Sequence, residues 1–161
     1  MQIILPFDSP KSISGVASIE INQPAKEVFR FVADDLFVNY PKWAAEVIEL
    51  QPLDGGKVFV GAKAKQIKKA NDDLVESIFE ITEYKPDDLT LIFQGLTEPY
   101  KHTYVVEPEA HSDLSRLTFK FELLEVEIVM RPFVKLIRVA IEDGVENTVV
   151  TIKDLLTQAC H

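Results

Sequence analysis

Between residues 132 and 156 the apolar side chains Val134, Ile137, Ile141, Val145, Val149, Ile152 and Leu156 recur at steps of three, four, four, four, three and four. That is the spacing of one face of an α-helix. Lys135, Glu142, Asp143, Glu146, Lys153 and Asp154 fall mostly elsewhere on the wheel. An apolar stripe of this length has to be laid on other apolar surface. Nearly all of the chain before it reads as short alternating strands, so the surface on offer is a sheet. If that sheet is curved, the helix closes it as a lid closes a cradle. The interior is then either packed solid or open to a ligand.

The strands are legible one by one. Residues 14–21 alternate, with Ala17, Ile19 and Ile21 on one side and Ser18 and Glu20 on the other. Asn22 or Gln23 is placed to cap a helix whose first turn holds Pro24, with Val28, Phe29, Phe31 and Val32 as its buried side. Asp34 and Asp35 interrupt it, and residues 36–40 predict a second short helix before Pro41. Strands are then predicted over 47–50, 62–69, 74–84, 89–94, 100–106 and 114–124. Turn-forming residues such as Asp54-Gly55-Gly56, Asn71-Asp72-Asp73, Pro86-Asp87-Asp88, Gly95 and Pro108 separate them. No long helix intervenes, so the sheet is expected to be antiparallel. Residues 1–13, with Pro6 and Pro10, read as an extended arm, and 14–161 as one domain.

Composition narrows the partners. A chain of 161 residues is enough for one domain with its own core. The net charge of −9 argues against nucleic acid and against an anionic membrane face, both of which call for clustered Lys and Arg. The apolar start Ile3-Ile4-Leu5 lacks a basic flank and is cut by Pro6, Asp8 and Pro10, unlike a signal peptide. No apolar run approaches the roughly 20 residues of a membrane span. The single cysteine, Cys160, cannot form an internal disulfide, which fits a reducing compartment and a cytoplasmic location. No spacing suggests a metal site, and neither metal nor cofactor is expected.

The order of strand, two short helices, six strands and long helix resembles the helix-grip fold of the Bet v 1-like or START-like (SRPBCC) superfamily. Within it, the chain looks most like the polyketide cyclase/dehydrase-type proteins of bacteria. The residues that carry the resemblance are the run from Ile19-Glu20-Ile21-Asn22-Gln23-Pro24 to Val28-Phe29, Tyr40-Pro41-Lys42-Trp43, Val60-Gly61-Ala62, Glu83-Tyr84-Lys85-Pro86 and His102-Thr103-Tyr104. The resemblance covers the chain from about Gly15 onward. It implies an α+β fold with a seven-stranded curved antiparallel sheet wrapped around a long C-terminal helix. It also implies that the region of Tyr40 and Trp43 forms part of a pocket mouth.

Strand parity supplies the remaining candidates for a ligand-lining face. Leu117, Phe119, Phe121 and Leu123 share one side of the last strand; Val75, Phe79 and Ile81, then Leu89, Leu91 and Phe93, share sides of earlier ones. His102 is in phase with Tyr104 and Val106, and is the one histidine placed for acid–base chemistry. Ala64, Gln66 and Lys68 share a face with little bulk, which leaves volume unfilled if it points inward. Either that strand faces a cavity or it flares away into solvent. Phe133, Ile137 and Ile141 complete the set from the helix, and Gly144 suggests close approach of the helix to a neighbour or a slight bend. Three functions follow from these residues. The first is binding or transport of a hydrophobic or amphipathic small molecule such as a lipid, isoprenoid, quinone or polyketide. The second is a cyclase or dehydratase on the same scaffold, favoured by an inward His102 paired with a carboxylate. The third is an interaction module with a filled core.

Overall fold

The computed structural model describes residues 12–111 and 113–159. In chain order the elements are β1 (Ile13–Ile21), α1 (Ala25–Phe29), a π-helical turn (Arg30–Asp34), α2 (Leu36–Trp43), β2 (Val47–Pro52), β3 (Lys63–Ala70), β4 (Asp73–Lys85), β5 (Thr90–Gly95), β6 (Tyr100–Pro108), β7 (Ser115–Leu123), a 3-10 helix (Ile128–Phe133) and α3 (Val134–Ala159). One antiparallel sheet runs in the order β1-β7-β6-β5-β4-β3-β2. This is the seven-stranded helix-grip arrangement that the pattern of the sequence predicts, with element ends shifted by one to three residues. Ile13, assigned to the arm, already pairs with Leu123 in β1. The rest of the arm, residues 1–11, lies outside the described residues, as do Cys160 and His161. Among the described residues no helix is long and apolar enough to cross a membrane.

Two local details differ from expectation. Pro24, not Asn22 or Gln23, occupies the N-cap of α1, and no side chain caps it. Gln23 Nε2 instead donates to the Leu156 carbonyl at 2.9 Å, tying the start of α1 to the last turns of α3. Pro41 lies inside α2 rather than ending it. Pro41 has no N–H to donate to the Phe37 carbonyl, so α2 forgoes that bond and ends two residues later at Trp43. Between α1 and α2, the π-helical turn closes with Asp35 N–H donating to the Arg30 carbonyl at 2.9 Å. Asn39 Nδ2 donates to the Phe31 carbonyl at 2.9 Å and braces this turn from within.

The concave face is covered unevenly. α2 drops Phe37, Tyr40 and Trp43 onto the sheet, where Tyr40 meets Phe79 and Phe93 edge-on at 5.9 and 5.5 Å. Beneath them Phe79 and Phe93 lie 4.3 Å apart, and Tyr104 stacks on Phe119 at 4.7 Å. α3 lies along β1 and β7. Only its second half is sunk: Val145, Val149, Ile152 and Leu156 are buried. Each contributes about 1.5–3 kcal/mol of apolar burial. In the first half Val134, Ile137 and Ile141 are half-buried, while Leu136 and Val139 are exposed. At Gly15 on β1 an added Cβ would come within 2.9 Å of Ile141 Cγ2, so strand and helix nearly touch there. The opposite flank of the helix stands clear of the sheet, and the gap is where a site forms.

Candidate functional site

A cleft of about 590 Å³ opens between α3, the β6–β7 part of the sheet and the end of α2. Its floor is His102 on β6 with Phe119, Phe121 and Leu123 on β7, an alternation that turns these side chains to one face. Trp43 closes one end, and Ala45 and Glu46, which follow α2, form the rim. The helix wall is Ile137, Ala140, Ile141, Gly144, Val145, Asn147, Thr148 and Thr151. Its polar groups are largely self-satisfied. Thr148 Oγ1 donates to the Gly144 carbonyl at 2.8 Å, and Thr151 Oγ1 to the Asn147 carbonyl at 2.7 Å. The helix therefore shows the cleft mainly methyl and methylene groups.

An annex of about 200 Å³ shares Glu46, His102, Phe121 and Leu123 with the cleft and adds Tyr40, Gln66, Lys68, Glu98, Pro99 and Tyr100. Here the polar groups gather. Lys68 Nζ sits 2.7 Å from Glu98 Oε1 and 5.5 Å from the centre of the Tyr100 ring. Gln66, 1% exposed, donates through Nε2 to Ser77 Oγ at 3.1 Å and to the Tyr100 hydroxyl at 2.8 Å. Its Oε1 is buried without a partner among the described residues.

His102 joins the two spaces. Its ring stacks on Phe93 at 4.4 Å and has Phe119, Phe121 and Tyr100 at 5.3, 5.3 and 5.2 Å. Burial first, and the Lys68 charge second, push its pKa down to about 3. Its Nδ1 lies 3.2 Å from the Tyr104 hydroxyl, which also lies 3.3 Å from Trp43 Nε1. Trp43 can only donate, and burial raises the Tyr104 pKa far above 10, so the phenol keeps its proton. Among the described residues His102 Nδ1 is the acceptor that lies within reach of the Tyr104 O–H, so we assign the chain from Trp43 N–H to the Tyr104 oxygen and from Tyr104 O–H to His102 Nδ1. The proton of the neutral imidazole is left on Nε2.

This has a measurable consequence for stability. The unfolded chain takes up a proton at His102 near pH 6.5, whereas the folded chain resists until about pH 3. Between those values the unfolded state binds more protons, so stability falls as the pH drops below about 6.5. Because the ring is only half-buried, we expect a loss of about 1 kcal/mol from pH 7 to pH 5 rather than the roughly 2 kcal/mol of full burial. Urea unfolding of wild type and His102→Phe at both pH values measures it. The variant should lose less stability on acidification; equal losses would show that His102 titrates normally in the folded protein.

Of the residues singled out from sequence, the cleft brings together Trp43, His102, Phe119, Phe121, Ile137 and Ile141, and the annex adds Tyr40 and Gln66. Ala64, Phe79, Leu91, Phe93 and Tyr104 point inward but are fully covered and form packed core. The small Ala64 side chain pairs with Phe79 across β3 and β4, and Phe79 in turn receives Phe37 and Tyr40, so the volume left by alanine is taken up by rings. β3 does not flare into solvent: Ala64 and Gln66 are buried on the inner face. Phe133 ends the 3-10 helix, is 48% exposed and lies outside the cleft wall. Gly144 makes no close approach; a Cβ there would meet nothing within 4 Å. The sequence reading missed Glu46, Glu98 and the small helix residues Ala140, Gly144, Thr148 and Thr151. Their steps of four, four and three were the available signal for a helix face looking into open space.

A family model described as polyketide cyclase / dehydrase and lipid transport matches residues 12–156. No curated protein sequence matches the chain significantly. Among solved structures, TTHA0849 from Thermus thermophilus aligns at 20% identity over 92% of this chain and 99% of its own, with a TM-score of 0.73. A point mutant of norcoclaurine synthase from Thalictrum flavum, in complex with a transition-state analogue, aligns at 15% identity over 93% and 97%, with a TM-score of 0.70. The same synthase in complex with dopamine and hydroxybenzaldehyde aligns at 14% identity over 98% and 97%, with a TM-score of 0.64. At these identities the likeness is one of fold.

Proposed function

The chain belongs to the polyketide cyclase/dehydrase and lipid transport family, and on that premise we propose that it binds one hydrophobic or amphipathic small molecule in the cleft beneath α3. The observation that carries this reading is the 590 Å³ gap beside α3 between Ile137 and Thr151, walled by Phe119, Phe121, Leu123, Ile137 and Ile141. Its size lies within the roughly 300–1,000 Å³ of small-molecule sites, and its walls are apolar with a few convergent polar groups. The related fold of norcoclaurine synthase holds dopamine and hydroxybenzaldehyde, which supports the idea that such a scaffold admits small aromatic or amphipathic molecules. Lipids, isoprenoids, quinones and polyketides are the classes of matching shape. A cytoplasmic setting is part of the proposal and rests on the single cysteine of the sequence.

A catalytic reading asks for an acid–base pair. The partner of His102 is a phenol and its pKa is held near 3, which suits a fixed hydrogen-bond donor better than a proton carrier. The interaction-module reading asks for a solid interior, against which the cleft weighs. To test binding, the neutral probe N-phenyl-1-naphthylamine is titrated against the purified protein, and native mass spectrometry is used to look for a co-purified molecule. Saturation at one probe per chain with micromolar affinity, about −8 kcal/mol, is expected. Fluorescence that never saturates, or that matches a solid-core control protein, would overturn the reading.

A further inference from the structure

Apart from the exposed Asn147 amide on the helix wall, the polar groups of the site with capacity to spare stand at one end. The helix wall offers the cleft no hydroxyl proton from Thr148 or Thr151, since both donate to their own helix. Among the described residues, and beside the Tyr40 hydroxyl and the carboxylates of Glu46 and Glu98, two groups of the annex lack hydrogen-bond partners. One is the N–H at Nε2 of His102, fixed there because Nδ1 is the acceptor of Tyr104. The other is the Gln66 amide, 1% exposed and with one polar atom unmatched. Turning that amide over does not cure it: the oxygen would then receive Ser77 and Tyr100, and the N–H groups would be stranded instead. Tyr100 touches both residues, through a 2.8 Å hydrogen bond to Gln66 and a ring contact at 5.2 Å to His102.

From this geometry, and resting on the binding function proposed above, we infer that the ligand carries a neutral hydroxyl group, as an alcohol or a phenol, received in the annex by His102 and Gln66. A hydroxyl oxygen accepts from His102 Nε2. The same hydroxyl both donates and accepts, so it satisfies Gln66 in either amide orientation. An ether can only accept. A carboxylate finds no free cation among the residues of the annex, because Lys68 is held by Glu98, and it would lie beside the carboxylates of Glu46 and Glu98. An ammonium gains little from the exposed Glu46 and pays to leave water. The apolar remainder of the molecule occupies the cleft.

The experiment is displacement of N-phenyl-1-naphthylamine by four ten-carbon compounds: 1-decanol, its methyl ether, decanoate and decylamine. Each net hydrogen bond is worth a factor of about 3–10 in affinity, so decanol should displace the probe roughly tenfold more effectively than the ether or decanoate, and more effectively than decylamine. In Gln66→Leu, confirmed as folded by circular dichroism, the preference for decanol over the ether should fall to about twofold or less, because only the alcohol can donate to the Gln66 amide. His102→Phe, checked in the same way, should weaken decanol and the ether alike, since both accept from Nε2. If the probe binds and wild type ranks the four compounds alike, the annex holds water only and this inference fails while the binding function stands. Tighter binding of decylamine or decanoate also overturns it, by making charge the selected feature. Failure of the probe itself to bind would instead strike the binding function.

Discussion

Phe79→Ala is expected to remove about 3–5 kcal/mol of unfolding free energy. Its ring is wholly buried, lies 4.3 Å from Phe93 and receives Phe37 and Tyr40 from α2. Truncation leaves a void between two layers that β4 and α2 hold apart. For a domain of this size that is a large fraction of the usual 5–15 kcal/mol. Phe121→Ala, on the neighbouring face, should cost clearly less, about 1–2 kcal/mol. Phe121 is half-buried and fronts both the cleft and the annex, so its removal enlarges an existing space. Parallel denaturant titrations compare the two. Equal midpoint shifts would show that the cleft is filled by collapse in solution.

The second large effect concerns binding. Gly144→Trp should weaken the neutral probe by roughly tenfold or more while leaving the protein folded, because the new side chain extends into the site that the probe would fill. Nothing lies within 4 Å of a Cβ at this position, so the substitution starts without a clash. Gly144→Ala, by the same reasoning, should raise stability by about 1 kcal/mol through helix propensity. Ala64→Trp, which strand parity alone would recommend for blocking a cavity, is the wrong choice. Ala64 is fully buried against Phe79, and the larger ring would overpack the core. Undiminished probe binding by folded Gly144→Trp would place the ligand somewhere other than beneath α3.

The contrast between Ala64 and Gly144 marks how far the sequence could be read. Alternation with period two and recurrence with period 3.6 are local signals, and they disclose the strands, their inner faces and the long helix. They assign Phe79, Phe93 and Tyr104 correctly to the concave side. Which stretch of that side is roofed, and by what, depends on contacts between distant parts of the chain. The rings of α2 sit over Phe79 and Phe93, far along the sequence, and no periodicity announces it. Nor does the stripe on α3 reveal that only Val145 onward is sunk. His102 stands out as a residue type and a parity. Its proton position, however, comes from Tyr104 and Trp43, and Trp43 lies on another element. The annex was hidden because Glu98 comes from the turn between β5 and β6, whose apolar patterning says nothing of where a carboxylate will land.

The uneven seating of α3 separates two obligations that most core helices carry together. The turns from Val145 to Leu156 hold the fold, fastened further by Gln23 at the Leu156 carbonyl. Ala140, Gly144 and Thr148 belong to the same helix but face open space and support no packed layer. Changes there weigh on what the protein holds and hardly on whether it folds. A set of variants differing only at these three positions should therefore spread widely in ligand preference while their melting temperatures differ by little more than the few degrees gained on replacing Gly144, so the pocket can be retuned without rebuilding its scaffold.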